Sequence, residues 1–411
     1  MSFNVELLRN QFPSLNRPTP SGEVPIFFDN PAGTQVPGMV LAAVGGYYIH
    51  NNANSGGVFA TSVASDAMVQ TTRERTAAFL NAASADEIVF GQNMTTLNFA
   101  LSRAIAQTLS AGDEIVVTRM DHDANISPWL RIAEDRGLMV RWVDVNTDDC
   151  TLDMQGLADV LNSRTKVVAT VYASNAVGTI NPIAQIAQMA HAVGALHVVD
   201  AVQAAPHILI DVQALGCDFL MCSAYKFFGP HLGILWGRYD LLASLPAYKV
   251  RPAHDAPPDR WETGTPAFEL IAGLGATLDY LSSLAGTADG VVTRQSLQMA
   301  LGRIGEHERD LITHLIDMLQ TIPGLRVAGI TDPARYAERV PTVVFTKDGY
   351  TSTQVAGRLA EQSIYVWDGN YYAVEVVKRL GHGEDGMVRV GVVHYNAHQE
   401  IDRLEAALKA L

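Results

Sequence analysis

Between residues 87 and 237 the chain switches repeatedly between two periodicities, a pattern that few folds accept. Seven short runs rich in β-branched residues are EIVF (87–90), EIVVT (114–118), MVRWVDV (139–145), KVVATVYA (166–173), LHVVDA (196–201), DFLMCSA (218–224) and GILWG (233–237). Helical patterns separate most of them. In 95–109, Phe99, Leu101, Ile105 and Leu109 fall within one apolar face; in 182–193, Pro182 offers a favoured first helical residue and Gly194 a stop. Apolar runs bounded by turns suit strands buried on both faces. Their alternation with helices predicts an α/β chain built on a mainly parallel sheet.

A different pattern begins near Gly290. A long amphipathic helix over 290–319 is followed by short strands around 325–330 and 340–346, a helix at 353–362, a strand at 387–393 and a closing helix at 399–411. This reads as a smaller α+β domain. The 411 residues suffice for two or three domains at about 150 residues each. The expected division is a segment 1–25 that packs with the small domain, a large domain 26–285 and a small domain 286–411. Val5, Leu8 and Phe12 are spaced like one helix face near the start, and RPAHDAPPDR (251–260) reads as an exposed loop between domains.

Charge narrows the range of partners. With 29 Lys and Arg against 43 Asp and Glu, the net charge of −14 repels phosphate backbones, so nucleic acid is not an expected partner. The longest apolar stretch, 38–49, falls short of the ~20 residues that span a bilayer, and the start lacks the unbroken apolar run of a signal peptide. Cys150, Cys217 and Cys222 are odd in number and match no metal spacing. They suit a reducing compartment, and the chain reads as a soluble cytoplasmic protein.

Several polar residues sit where strands end, which is where open α/β sheets bind ligands. Lys226, in SAYKFFGP (223–230), follows an apolar strand; there it is either a solvated loop lysine or, if burial lowers its pKa, a Schiff-base lysine. Asp200, in HVVDAVQ (197–203), ends a buried run and needs a cation, a donor or a helix to cap; Gln203 lies one turn on. In GQNMTTLNFAL (91–101) a strand meets a helix, whose start and the Thr95 hydroxyl either hold a phosphate or merely cap. His122, in MDHDAN (120–125), either stacks on an aromatic cofactor and shuttles protons or lies on a surface loop. Asp121, His122 and Asp123 are adjacent, so on an extended segment they point to opposite faces, against a metal site. Asn175 either bonds a cofactor oxygen or makes a turn. Arg389, within the apolar MVRVGVV, needs a substrate carboxylate or an internal acid. GHGEDG (381–386) follows a helix rather than a strand, so it reads as a loop and not a dinucleotide fingerprint.

The order of these pieces resembles the class V aminotransferases among the fold-type I pyridoxal 5'-phosphate (PLP) enzymes, and within them the cysteine desulfurase and selenocysteine lyase group. The resemblance runs from FFDNPAGTQVP (27–37) to RVGVVHYNAHQEIDRL (389–404), with DAVQAAPH and SAYKFFGP as its specific motifs. It implies a large PLP-binding domain and a smaller α+β domain. It also implies catalytic roles for Lys226, His122 and Asp200. Lys226 would form the Schiff base with PLP, Asp200 hold the pyridinium nitrogen, Gln203 and Asn175 the 3'-oxygen side, and His122 stack on the ring. Thr95, the Met94 backbone and Ser223 would bind the phosphate, and Arg389 the α-carboxylate of an amino-acid substrate. Thr265, in ETGTP (262–266), matches a residue that reaches the neighbouring subunit's phosphate, which implies a homodimer with shared active sites.

Three departures from that pattern stand out. Tyr225 replaces the histidine usual before the lysine, and Met94 replaces a phosphate-loop threonine. In YVWDGNYYAVEV (365–376), Tyr372 stands about where desulfurases carry the mobile cysteine that holds the persulfide. The residues therefore leave open C–S elimination, an aminotransferase, an epimerase, or a PLP-fold protein that has lost catalysis; the intact Lys226, Asp200 and Arg389 argue against the last.

Overall fold

The computed structural model describes residues 4–20, 22–286 and 291–411. All seven expected runs form one sheet: β1 (Ile88–Gly91), β2 (Glu114–Thr118), β3 (Met139–Val143), β4 (Thr165–Val171), β5 (Leu196–Asp200), β6 (Phe219–Ser223) and β7 (Gly233–Gly237). Their order is β1-β7-β6-β5-β4-β2-β3, and only β7 runs antiparallel to its neighbours. Successive residues point to opposite faces, and each face has its own core. On β6, Phe219 and Met221 join one cluster while Leu220 and Cys222 join the other.

A second, antiparallel sheet consists of β8 (Leu325–Ala328), β9 (Thr342–Lys347), β10 (Trp367–Gly369) and β11 (Met387–Gly391), in the order β10-β11-β9-β8. One face, with Val343, Phe345, Val388 and Val390, packs in a separate core with Leu311–Leu319 side chains of the helix Arg294–Thr321 and with Ile401 and Leu404. Arg389 lies on the opposite face. The architecture is therefore a large, mostly parallel α/β sheet with a smaller α+β unit.

Element ends differ from the sequence reading for identifiable reasons. The N-terminal helix stops at Arg9, because Phe12 precedes Pro13 and is held extended at φ −107°, ψ 103°. Leu8, Phe12 and Leu15 nevertheless enter the main core, and Arg9 reaches the small unit through Glu400 at 2.8 Å. Pro182 is the N-cap of the helix Ile183–Ala192 rather than its first residue. The long helix begins at Arg294, where Thr293 and Ser296 cap each other; the expected start at Gly290 lies outside the described residues. The loop at 251–260 is mostly exposed, but it is not a connector between the two units: it leads into the helix Phe268–Ser283, which packs on Gly38–His50 and Ala60–Leu80 of the large unit.

Candidate active site

The carboxyl ends of β2, β4, β5 and β6 open into a cavity of about 910 Å³, closed on the far side by the small sheet. Nine of the ten candidate residues line it: Met94, Thr95, His122, Asn175, Asp200, Gln203, Ser223, Lys226 and Arg389. The tenth, Thr265, is exposed on a turn away from the cavity. That turn is anchored by Glu262, which accepts from Arg73 at 2.8 and 3.1 Å and from the Phe90 amide at 2.8 Å.

Lys226 ends a one-turn 3₁₀ helix, Ala224–Lys226, directly after β6. The segment 29–34 lashes this turn. Thr34 donates through its backbone and hydroxyl to the Tyr225 carbonyl, and the Lys226 ammonium donates to the carbonyls of Pro31 at 2.5 Å and Ala32 at 2.9 Å. The segment approaches the small sheet so closely that a Cβ on Gly391 would lie 2.2 Å from Pro31. Burial, reinforced by the Arg389 charge, pushes the Lys226 amine down to about 7.

Asp200 is 2 % exposed and accepts one local bond, from the Val202 amide at 2.9 Å. With so little compensation, burial pushes its carboxyl up to about 6. Across the cavity the Asn175 amide donates to the Tyr371 carbonyl at 3.0 Å and the Gln203 amide to Thr342 at 3.3 Å. The acceptor oxygens of both side chains, Asn175 Oδ1 and Gln203 Oε1, are buried without a partner among the described residues. Such atoms are costly unless a ligand satisfies them.

The phosphate-type element is the helix Met94–Ala106, capped by the reciprocal Asn93–Thr96 pair. Its Met94 amide donates to Ser223 Oγ at 3.0 Å, while the Thr95 hydroxyl faces the cavity without a protein partner among the described residues. Gly233 lets this helix start approach the sheet: a Cβ there would lie 2.4 Å from the Asn93 backbone.

His122 caps the 3₁₀ turn Asp123–Asn125, its Nδ1 accepting from the Ala124 amide at 3.0 Å. Burial, then Lys226 and Arg389, push it down to about 4, so the ring is neutral. Tyr372 lies beside it, ring centroids 5.5 Å apart and tilted 31°. Tyr371 and Tyr372 are consecutive left-handed residues, φ +56° and +59°, a conformation that costs of order 1–3 kcal/mol each outside glycine. Tyr371 donates through its hydroxyl to the Met387 carbonyl, and its ring lies 4.4 Å from the Arg389 guanidinium. Arg389 donates to the Asn175 carbonyl at 2.9 Å, and its Nε is buried without a partner among the described residues. Among the described residues no carboxylate bonds it, so the internal-acid alternative for Arg389 does not hold.

Three further residues belong to this region. Asp121 is fully buried behind His122, bonded by Thr118 and, at 2.6 Å, by Asn125; burial pushes its carboxyl up to about 8. His231 stacks on Tyr225, 4.9 Å apart at 18°. Trp367 lines the cavity 48 % exposed, directly opposite Arg389 in the β10–β11 pairing. Trp367 was out of reach from sequence because its relevance depends on strand register; a buried acid next to a candidate histidine could have flagged Asp121.

Comparison with known proteins agrees with this geometry. The family model described as aminotransferase class-V matches residues 26–404. A probable cysteine desulfurase of Streptomyces coelicolor is 34% identical, covering 99% of this chain and 97% of its own length. An aminotransferase-like protein, FGM3, of Gibberella zeae is also 34% identical, covering 99% and 98%. Among solved structures, a cysteine desulfurase from Thermococcus onnurineus superposes with a TM-score of 0.85 at 27% identity, covering 100% of this chain and 99% of its own.

Proposed function

The chain belongs to the aminotransferase class-V family, and from that membership we propose that it cleaves a carbon–sulfur bond of an amino acid by elimination, without an enzyme-bound persulfide. It is a PLP-dependent enzyme of the cysteine desulfurase type acting on an amino acid. The residues present suit that cofactor. Asn175 and Gln203, each with a buried oxygen unpartnered among the described residues, line the cavity, the helix start at Met94–Thr95 and Ser223 suits a phosphate, and Lys226 lines the same space. When bound, PLP supplies an electron sink for the pair left at Cα.

In this reading Thr95, the Met94 backbone and Ser223 hold the phosphate, and Asn175 and Gln203 the 3'-oxygen side. Asp200 holds a proton at the ring nitrogen, and the neutral His122 stacks on the ring. Arg389 would fork onto the substrate carboxylate, with its unpartnered Nε as one of the two donors. Lys226, whose amine is pushed down to about 7, takes the Cα proton near neutral pH. The Tyr372 hydroxyl at the mouth can donate a proton to a departing sulfur but cannot carry sulfane sulfur.

One observation carries the absence of a persulfide. By the family resemblance Tyr372 stands about where desulfurases carry the mobile cysteine, and Cys150, Cys217 and Cys222 are all buried and absent from the cavity wall. Burial pushes the Cys150 thiol up to about 11 and the other two higher still, the reverse of what a nucleophilic thiolate needs.

The same reading takes the enzyme as a cytoplasmic homodimer, with residues 26–285 as the PLP-binding domain, 286–411 as the small domain, and 1–25 bridging back to it. The apolar side chains Met39, Leu41, Tyr48, Ile49, Val58 and Phe59 are exposed together on and after Gly38–His50, which supports a second copy seated there and Thr265 serving the partner's site. Among the described residues no helix is long and apolar enough to cross a membrane.

The test replaces Cys150, Cys217 and Cys222 together by alanine and follows pyruvate and sulfide from cysteine. Retained turnover is expected. Iodoacetamide on the native enzyme gives a second measurement that needs no variant: resistance is expected, and inactivation matched by alkylation of one cysteine contradicts the reading.

A further inference from the structure

Register places two unlike side chains together. Trp367 and Arg389 are direct partners in an antiparallel pair, so their side chains leave the same sheet face as close neighbours. That face is the cavity wall, and both residues line it. A carboxylate on Arg389 therefore has the indole beside it. Tyr371 covers the guanidinium from within the protein, while Trp367 and Tyr372, 48 % and 71 % exposed, stand where the cavity opens to solvent.

The charges around this space are already committed. Among the described residues the cavity wall carries two cationic side chains, Lys226 and Arg389, so an acidic substrate side chain finds no further cation. Free cysteine would leave the two exposed rings uncovered. At about 910 Å³ the cavity is near the upper end of the ~300–1,000 Å³ usual for drug-sized ligands.

We propose that the substrate is a cysteine whose sulfur carries a flat apolar or aromatic substituent, packed against Trp367 and Tyr372. This rests on the elimination reading and gives it a substrate class. The balance is simple. The Cα proton goes to Lys226 and the Cβ–S bond breaks with its electron pair on sulfur. The thiolate takes a proton, and the released enamine tautomerises and is hydrolysed. The sum is S-substituted cysteine plus water giving thiol, pyruvate and ammonia, with no external oxidant or reductant.

The test compares S-benzyl-L-cysteine with S-methyl-L-cysteine, whose alkyl thiolates are similar leaving groups, by pyruvate release. The binding of 3-(benzylthio)propanoate and 3-(methylthio)propanoate, which cannot react, is measured alongside by calorimetry. Ring stacking predicts about a tenfold preference for the benzyl compound in kcat/KM and in affinity. Trp367→Ala and Tyr372→Ala should each collapse that ratio toward one. Equal affinities for the two propanoates in the wild type, or a ratio unmoved in both variants, overturn the proposal. Preferential binding of the benzyl propanoate with no pyruvate from either cysteine leaves the pocket assignment standing and contradicts the elimination reading instead.

Discussion

Glu114 and Asp200 are both carboxylates with almost no exposed surface, on parallel strands of one sheet, yet their acidities move in opposite directions. Glu114 starts β2, at the amino end of the sheet. It accepts from Arg141 at 2.9 and 3.1 Å, from Asn162 at 2.9 Å and pairs with Arg164 at 2.7 Å, and these bonds hold its carboxyl down to about 2. Asp200 ends β5, at the carboxyl end, with a single local bond, and burial pushes it up to about 6. Lys226 shares that end and is likewise displaced toward neutrality, to about 7. One end of the sheet satisfies its buried charges internally. The other gives them backbone hydrogen bonds but, among the described residues, no ion pair, as functional sites do.

The sharpest way to break this comparison is to remove a group from each end. Lys226→Ala should lower kcat by 10³-fold or more and abolish the borohydride-sensitive absorption band of the PLP-loaded enzyme. The thermal midpoint should not fall, because a cation whose charge burial disfavours is removed. Arg389→Lys keeps the charge but loses the fork, and should cost about 10–100-fold in kcat/KM, mostly through KM. The pH profile follows from Lys226. Below its pKa the ammonium cannot accept the Cα proton, so kcat, which reports the substrate complex in which Lys226 is a free amine, should rise through about pH 7 and stand about tenfold lower at pH 6 than at its plateau. At the opposite end, Glu114→Gln should leave kcat/KM unchanged and cost about 1–3 kcal/mol of stability in urea. Its folded pKa lies below the ordinary 4.5, so its contribution is present above that value and lost as pH falls toward 2. The variant should therefore flatten this acid limb.

The same contrast explains what the sequence could tell. Strands such as Glu114–Thr118 and Gly233–Gly237 were legible to the residue because charges and glycines punctuate their apolar runs. Polar residues at strand ends were legible for the complementary reason: Asp200, Asn175 and Lys226 interrupt apolar runs, and all three line the cavity. Local conflicts were harder. The Val5–Leu8–Phe12 spacing promised a longer helix than Pro13 permits. Trp367 gave no signal, since only the β10–β11 register sets it beside Arg389. The left-handed pair Tyr371–Tyr372 was equally hidden, because nothing in two bulky residues announces a positive φ.

The central claim is that sulfur leaves this site without ever residing on the protein. Mass spectrometry of the intact wild-type enzyme, quenched during turnover of cysteine and then digested, measures this directly. The account predicts unmodified Cys150, Cys217 and Cys222 while pyruvate accumulates. A mass gain of one sulfur on any of the three, together with loss of activity when that cysteine is replaced, would contradict it.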